Sequence, residues 1–340
     1  MKLDYKFYLG LLIGAVFLYL ALRKVDFAEM MLVFGRIEWP LVLLSLVLNY
    51  LTYVTRMLRW RHLMMPIKKS RYRNLFSAIA IGFGANNMFP VRLGELIRAY
   101  ALGKMERVRT SSVLATVVVE RVFDVLTVLV MLVVVFFTVS FPAGYHEFMV
   151  GLRVAGIGSA VVVLTLVAFL VLLERNRDRA LVIVRFFARA LPDRMRPRVE
   201  SMVLAFADGL YVLYEGHRLI AVIFYSFLTW LVIAAFYWVI LFSFGISLPF
   251  MAAVFVAVLL AFAVALPAPP GYIGTFHAAA RYALVFFGLP ATEAAGVGIV
   301  MHALNFIPAI AGGLLFIWLD KMSFAEMTQV SREGIGGKGA

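Results

Sequence analysis

The sequence predicts an all-α polytopic membrane protein, and three observations carry that prediction. Apolar side chains make up 64% of 340 residues, with charged residues at only 15%, against about 25% in an ordinary soluble domain. Mean hydropathy is +0.95, and long apolar runs recur from end to end without the period-two alternation that a barrel strand needs. Two of the apolar regions are interrupted near their middle by proline. The expected architecture is six full spans plus two oppositely oriented re-entrant helical hairpins forming an inverted repeat, with both termini cytoplasmic.

The full spans are expected at 7–22, 38–58, 113–139, 152–173, 219–243 and 292–319. The first follows Lys2 and Lys6, as a signal peptide would. No small-residue cleavage site comes after it, so it reads as a retained helix. The regions 74–102 and 250–287 are broken at Pro90 and at Pro267, Pro269 and Pro270. Each half is short for a bilayer that needs about 20 helical residues, so each region is expected to enter and leave on one side. Residues 1–320 then make a single transmembrane domain, with a first repeat at 38–139, a second at 219–319 and a connector at 174–217. Residues 321–340 form a cytoplasmic tail, whose end, SREGIGGKGA, is expected to be disordered.

Charge sets the orientation. Segment 59–73 carries six Lys or Arg and no acid, and 174–217 carries eight Arg against six acids. The positive-inside rule places both in the cytoplasm. Hairpin 74–102 must then open from the cytoplasmic side and hairpin 250–287 from the outer side, as an inverted repeat requires. The letters echo it: PVRLGELIRAYAL at 90–102 resembles PGYIGTFHAAARYAL at 270–284. The formal charge of +13 is read as topology and contact with anionic lipid headgroups at the cytoplasmic basic segments, not as nucleic-acid binding. In the connector, Phe186 and Phe187 are candidates to lie on the membrane beside Arg185 and Arg189, with a plain basic connector as the alternative. Arg56 and Arg59 are expected to snorkel to headgroups, with Tyr53 and Trp60 in the interfacial aromatic belt.

Polar residues inside these segments mark the candidate site. Arg92, Glu95 and Arg98 lie in the first hairpin, and Glu120, Arg121 and Asp124 in the span that follows. One exposed charge at the bilayer centre costs roughly 2.5–3.5 kcal/mol on the insertion scale, so six must face one another, water or a ligand. Asn86 and Asn87 precede the Pro90 break, where their amides can satisfy freed backbone groups or bind a ligand. The half-helix beginning near Val91 points an amino end into the membrane, and with Arg92 this favours an anion such as phosphate. Arg suits phosphate because its planar fork donates two parallel hydrogen bonds. An internal ion-pair ladder is the alternative for Arg92, Glu95 and Arg98, which sit three residues apart. Glu120 and Asp124 share a helix face, and Arg121 is placed to pair with Asp124. A proton-carrying role for Glu120 stays open.

In the second hairpin Gly271 and Gly274 permit close approach or unusual dihedrals. His277 and Arg281 follow four residues apart, and Asn305 in the last span lines the same cavity or bonds to another helix. Cysteine is absent, which removes disulfides and thiolate chemistry. No metal or cofactor is expected.

The stretches NNMFPVRLGELIRAYAL at 86–102, VVVERVFDVL at 117–126 and LPAPPGYIGTFHAAARYAL at 266–284 resemble the flippase-like family named for the transmembrane region of lysylphosphatidylglycerol synthase. The resemblance covers roughly 7–320, without the soluble synthase domain. It implies lipid handling. The best-known members carry an aminoacyl phospholipid across the bacterial cytoplasmic membrane, and stand-alone relatives are linked to other polar lipids, polyprenyl-phosphate-linked sugars or hopanoids. On that pattern Asn86, Asn87, Arg92, Gly94, Glu95 and Arg98 carry over, with Glu120, Arg121 and Asp124, and Pro270, Gly271 and Gly274. The family often has a glutamate where this chain has His277.

The function expected is transbilayer movement of a phosphate-bearing or other polar lipid through a central polar cavity, in a multi-pass protein of the cytoplasmic (inner) membrane. No GxxxxGK[ST] nucleotide loop is present. The alternatives are a membrane transferase acting on a lipid phosphate, a small-solute or ion transporter, and a non-transporting scaffold. The partners are a polar lipid and anionic membrane lipids, with a homodimer left open.

Overall fold

The computed structural model describes residues 5–23, 25–89, 93–139, 216–265 and 270–323, with part of 154–200. The described helices are α1 (Tyr5–Leu22), α2 (Phe27–Phe34), α3 (Trp39–Met64), α4 (Tyr72–Met88), α5 (Gly94–Glu106), α6 (Thr110–Thr138), α7 (Arg177–Ala188), α8 (Gly216–Ser243), α9 (Phe250–Ala265), α10 (Thr275–Phe286) and α11 (Ala291–Leu319). Outside the described residues lie most of the expected span 152–173, the loop 140–150, much of the connector 174–217 and the tail 324–340. So do Arg92, Pro90, Pro267 and Pro269.

Local chemistry sets the helix boundaries. The Asp26 carboxylate caps α2 by accepting from the Ala28 amide at 2.8 Å and the Glu29 amide at 3.2 Å. Asn176 caps α7 in the same way through the Arg179 amide at 3.1 Å. Pro40 sits in the first turn of α3, where a missing amide hydrogen costs nothing. The breaks expected in the two interrupted regions fall between Met88 and Gly94 and between Ala265 and Thr275. The chain turns back on itself at each. Asn74, near the start of α4, donates to Glu106 at the end of α5, while Gly82 meets Gly94 at the other end of the pair. A Cβ on Gly94 would collide with the Gly82 carbonyl oxygen, so glycine permits the close approach of these two helices. The α5 leg has 13 residues, or about 20 Å at 1.5 Å per residue, well short of a hydrocarbon core about 30 Å thick.

Helix contacts repeat in a pattern that suggests internal duplication. α3 packs along α8. α5 packs on α6 as α10 packs on α11, and α4 crosses to α11 as α9 crosses to α6. Helix for helix, α3–α6 correspond to α8–α11. Two apolar cores follow. One gathers Trp60, Leu63, Ile79, Ile97 and Val117 around the α4–α5 pair, and Ala180 of α7 joins it. The other gathers Phe236, Ile240, Phe255, Leu284 and Val297 around the α9–α10 pair. The outward faces stay apolar: Leu43, Val47 and Leu51 on α3 and Ile220 and Phe224 on α8 are exposed. Large exposed apolar surfaces of this kind mark contact with lipid. The molecule is a polytopic all-α membrane protein with several long apolar helices and paired contacts of a repeat.

Candidate functional site

The charged residues of α3, α5 and α6 converge where the two halves meet. α6 places Glu120 and Asp124 one turn apart on a single face, and α3 presents Arg56 and Arg59 from the opposite side. Arg59 is fully buried, with Nη1 donating to Asp124 Oδ1 at 2.6 Å and to Ser226 Oγ at 3.0 Å, and Nη2 lying 3.0 Å from Glu120 Oε1. Arg98 reaches Glu120 Oε2 at 2.5 Å and stacks over the Trp60 ring at 4.4 Å. Arg121 binds Glu120 at 2.8 Å and Asp124 at 3.1 Å through Nη2. Arg56 lies 3.7 Å from Asp124 and 5.0 Å above the Phe83 ring. The Trp230 indole donates to Asp124 at 3.3 Å. Such burial is tolerable only because each carboxylate has several charged partners, since a single buried ion carries a desolvation penalty of several kcal/mol.

A cavity of about 240 Å³ adjoins this cluster. It falls below the usual 300–1,000 Å³ of a pocket that swallows a drug-sized ligand. Arg56, Asn86, Asn87, Glu95 and Arg121 contribute its wall from the first half. Tyr272, His302 and Asn305 contribute from the second, among the rings of Tyr53, Phe83, Trp230, Tyr237 and Phe306. Among the described residues, Arg56, Arg59, Arg98 and Arg121 stand against Glu95, Glu120 and Asp124, four positive charges to three negative. The polar region carries a net positive charge.

The sequence-predicted residues fall into three groups. Asn86, Asn87, Glu95, Arg121 and Asn305 line the cavity. Asn86 is also structural: its Oδ1 accepts from the Gly94 amide at 2.7 Å, and its Nδ2 lies 3.4 Å from Glu95. Asn87 donates to the Phe83 carbonyl at 3.0 Å, and Asn305 to the Tyr237 hydroxyl at 3.3 Å. Arg98, Glu120 and Asp124 form the second group, beneath the cavity in the ion-pair cluster. The third group belongs to the second break, where His277 lies against the cavity-lining His302 with ring centroids 4.6 Å apart. Arg281 donates to the carbonyls of Leu20 at 2.6 Å and Ala21 at 3.0 Å, closing the C-terminal turn of α1. His277 Nδ1 accepts from the Gly274 amide at 3.3 Å at the start of α10. Gly271 and Gly274 have φ of +72° and +95° and shape the turn, and the Gly271 carbonyl lies 2.7 Å from His302 Nε2.

The sequence reading misplaced four residues. Arg56 and Arg59 do not snorkel: they are 8% and 0% exposed, inside the ion-pair cluster. Tyr53 and Trp60 are buried as well, and the Trp60 indole donates to Thr116 Oγ1 at 2.9 Å. α3 runs to Met64, six residues past the expected end at 58, which moves Arg59 and Trp60 inside the helix. Tyr53 and Arg56 already lay within the expected span, and they are buried because that face of α3 packs against other helices instead of lipid. The three-residue spacing of Arg56 and Arg59 was the available signal, because it puts both on one face. His302 was missed too, although it sits three residues from Asn305 on α11.

A profile of the lysylphosphatidylglycerol synthase transmembrane region matches residues 7–313. A UPF0104 membrane protein of Methanothermobacter thermautotrophicus is 26% identical over 292 residues, covering 81% of this chain and 84% of its own length. A second UPF0104 membrane protein of that organism is 24% identical over 296 residues, 82% of this chain and 83% of its own. Glycosyltransferase AglD of Haloferax volcanii is 31% identical over 120 residues, which is 35% of this chain and 19% of that protein. All three relatives are archaeal.

Proposed function

The chain belongs to the lysylphosphatidylglycerol synthase transmembrane-region family, a polytopic family associated with lipid-related processes. From that premise we propose that it moves a phosphate-bearing polar lipid between leaflets. The observation that carries this reading is the net positive charge of the cluster beside a cavity of about 240 Å³. A phosphate supplies the missing negative charge, and Arg121, with a side chain 38% exposed, is the guanidinium best placed to meet it. Glu120 and Asp124 hold the arginines in place when no lipid is bound. The chains remain in the bilayer beside the exposed apolar faces.

In this reading α4–α5 and α9–α10 are the re-entrant pairs, entering from opposite sides. α3 and α6 cross in the first unit, and α8 and α11 in the second. The second unit is inverted against the first, and movement of one unit against the other exposes the cavity alternately. Both termini are cytoplasmic, and the protein sits in the cytoplasmic membrane. The driving force is a concentration gradient or the membrane potential, the latter worth about 2.3 kcal/mol per charge per 100 mV.

The test uses purified protein in liposomes carrying a headgroup-labelled anionic phospholipid. A membrane-impermeant quencher reports leaflet exchange, and mass spectrometry reports whether the lipid is altered. Faster exchange with unchanged lipid mass, reduced about tenfold or more by Arg121→Gln, is expected from loss of a charge-assisted contact. A change in lipid mass would favour the transferase. Equal exchange by wild type and variant would remove Arg121 from the path.

A further inference from the structure

The two halves share their architecture but differ in how their cross-contacts are fastened. α4 and α11 lie together over roughly three turns. Near the middle of the molecule the Gly84 and Gly313 backbones meet without side chains between them, and a Cβ on either would lie 2.8 Å from the Cα of the other. Further along, the Phe76 and Phe316 rings pack with centroids 5.5 Å apart. At the end, Asp320, the residue after α11, accepts from Arg73 Nη2 at 2.5 Å and from Ser77 Oγ. The Asp320 carboxylate is only 5% exposed although Arg73 is 58% exposed. Met322 just beyond it is buried against the core around α4–α5. Among the described residues, no ion pair or side-chain hydrogen bond fastens the counterpart crossing, α9 against α6. α9 reads FMAAVFVAVLLAFAVA and holds no side chain able to form a strong hydrogen bond.

We propose that Asp320, Arg73 and Ser77 form a latch that holds α11 against the α4–α5 pair and closes the cavity toward the side where 59–73 lies. This rests on the opposed orientation of the two pairs argued above. The latch is a good fastener for a reversible closure. Its bonds are charge-assisted and directional, so they hold one geometry, yet Arg73 is solvated enough to let go without stranding a bare charge in lipid. The glycine contact above it supplies a smooth pivot, since backbones that touch without intervening side chains can separate and re-form without repacking rotamers. α9 brings only apolar side chains to α6, so no ion pair between these two helices has to break for them to part. Among the described residues, this state is fastened on the basic side and has no matching fastener between α6 and α9.

The chain has no cysteine, so a single introduced thiol reports cavity access directly. Ala261 lines the cavity from α9 and belongs to no polar contact. Ala261→Cys is placed in sided membrane vesicles, and a charged impermeant maleimide is added from the cytoplasmic or the outer face. Slow cytoplasmic labelling is expected in the otherwise unaltered chain. Asp320→Asn should raise that rate roughly tenfold, the scale of losing a hydrogen bond to a charged group, and Ser77→Ala less. Exchanging the charges with Asp320→Arg plus Arg73→Asp should slow labelling again, which a general loss of packing would not do. Unchanged labelling in Asp320→Asn, or no recovery in the exchanged pair, overturns the latch. Labelling that shifts while lipid exchange is absent leaves the latch standing and removes the lipid reading instead.

Discussion

Arg59 shows what the site asks of one side chain. It has no exposed surface and holds two carboxylates at once. Arg59→Ala would leave Glu120 and Asp124 short of a partner in a buried setting, a change that typically costs 3–5 kcal/mol, so about that loss is expected. Thermal unfolding in detergent measures it, and a midpoint within a degree or two of wild type would mean that Arg98 and Arg121 suffice. Glu120→Gln tests the proton question separately. If Glu120 only balances charge, exchange should fall without a change in its pH profile; a displaced profile would assign it a proton. Arg92, expected from sequence to capture phosphate, lies outside the described residues. Arg92→Ala should slow exchange of an anionic lipid more than it impairs membrane insertion, since insertion is relieved of a costly charge. The same exchange assay, alongside the amount of protein recovered in the membrane, checks both halves of that expectation.

At the scale of elements, the broken pairs depend on backbone proximity. Gly94→Ala would press a methyl group on the Gly82 carbonyl and the Asn86 amide. Overpacking of this kind costs typically 1–3 kcal/mol, so a melting midpoint lower by several degrees is expected. Gly312→Ala is the control, because nothing stands within reach of its added carbon. Equal midpoints for the two variants would mean that α4 and α5 slide apart freely. Both breaks were legible in the sequence because proline and glycine act locally. The roles of the residues flanking the second break were not. His277 accepts from the Gly274 amide and packs on the cavity-lining His302, while Arg281 is bonded to the end of α1. A four-residue spacing places them on one face, and it does not say which neighbour that face meets.

For the whole molecule, orientation is the testable quantity. The Glu38 amide donates to the Ser243 carbonyl at 2.8 Å, so the start of α3 and the end of α8 share one side. Segment 59–73 lies at the other end of α3. In the cysteine-free chain, Ser247→Cys is expected to react with an impermeant thiol reagent from outside only, and Lys69→Cys from the cytoplasm only. Reaction of both from the same face would undo the inverted arrangement, and with it alternating access. A fixed homodimer would show as a doubled mass in detergent, independent of either label.

The amino-acid sequence by itself determined the membrane class, the helical state, the positions of the two breaks and the presence of costly charges inside apolar segments. Each of these is a property of one stretch of chain: its transfer free energy, its periodicity, its prolines. Only the tertiary structure decided which charges neutralise which. Arg59 and Asp124 are 65 residues apart in the chain and 2.6 Å apart in space, and Arg56 and Arg59 belong to the site because the face of α3 that carries them packs against α6 and α8. A buried charge announces that it needs a partner. Which partner it finds is set by helix packing, and that is a property of all the helices at once.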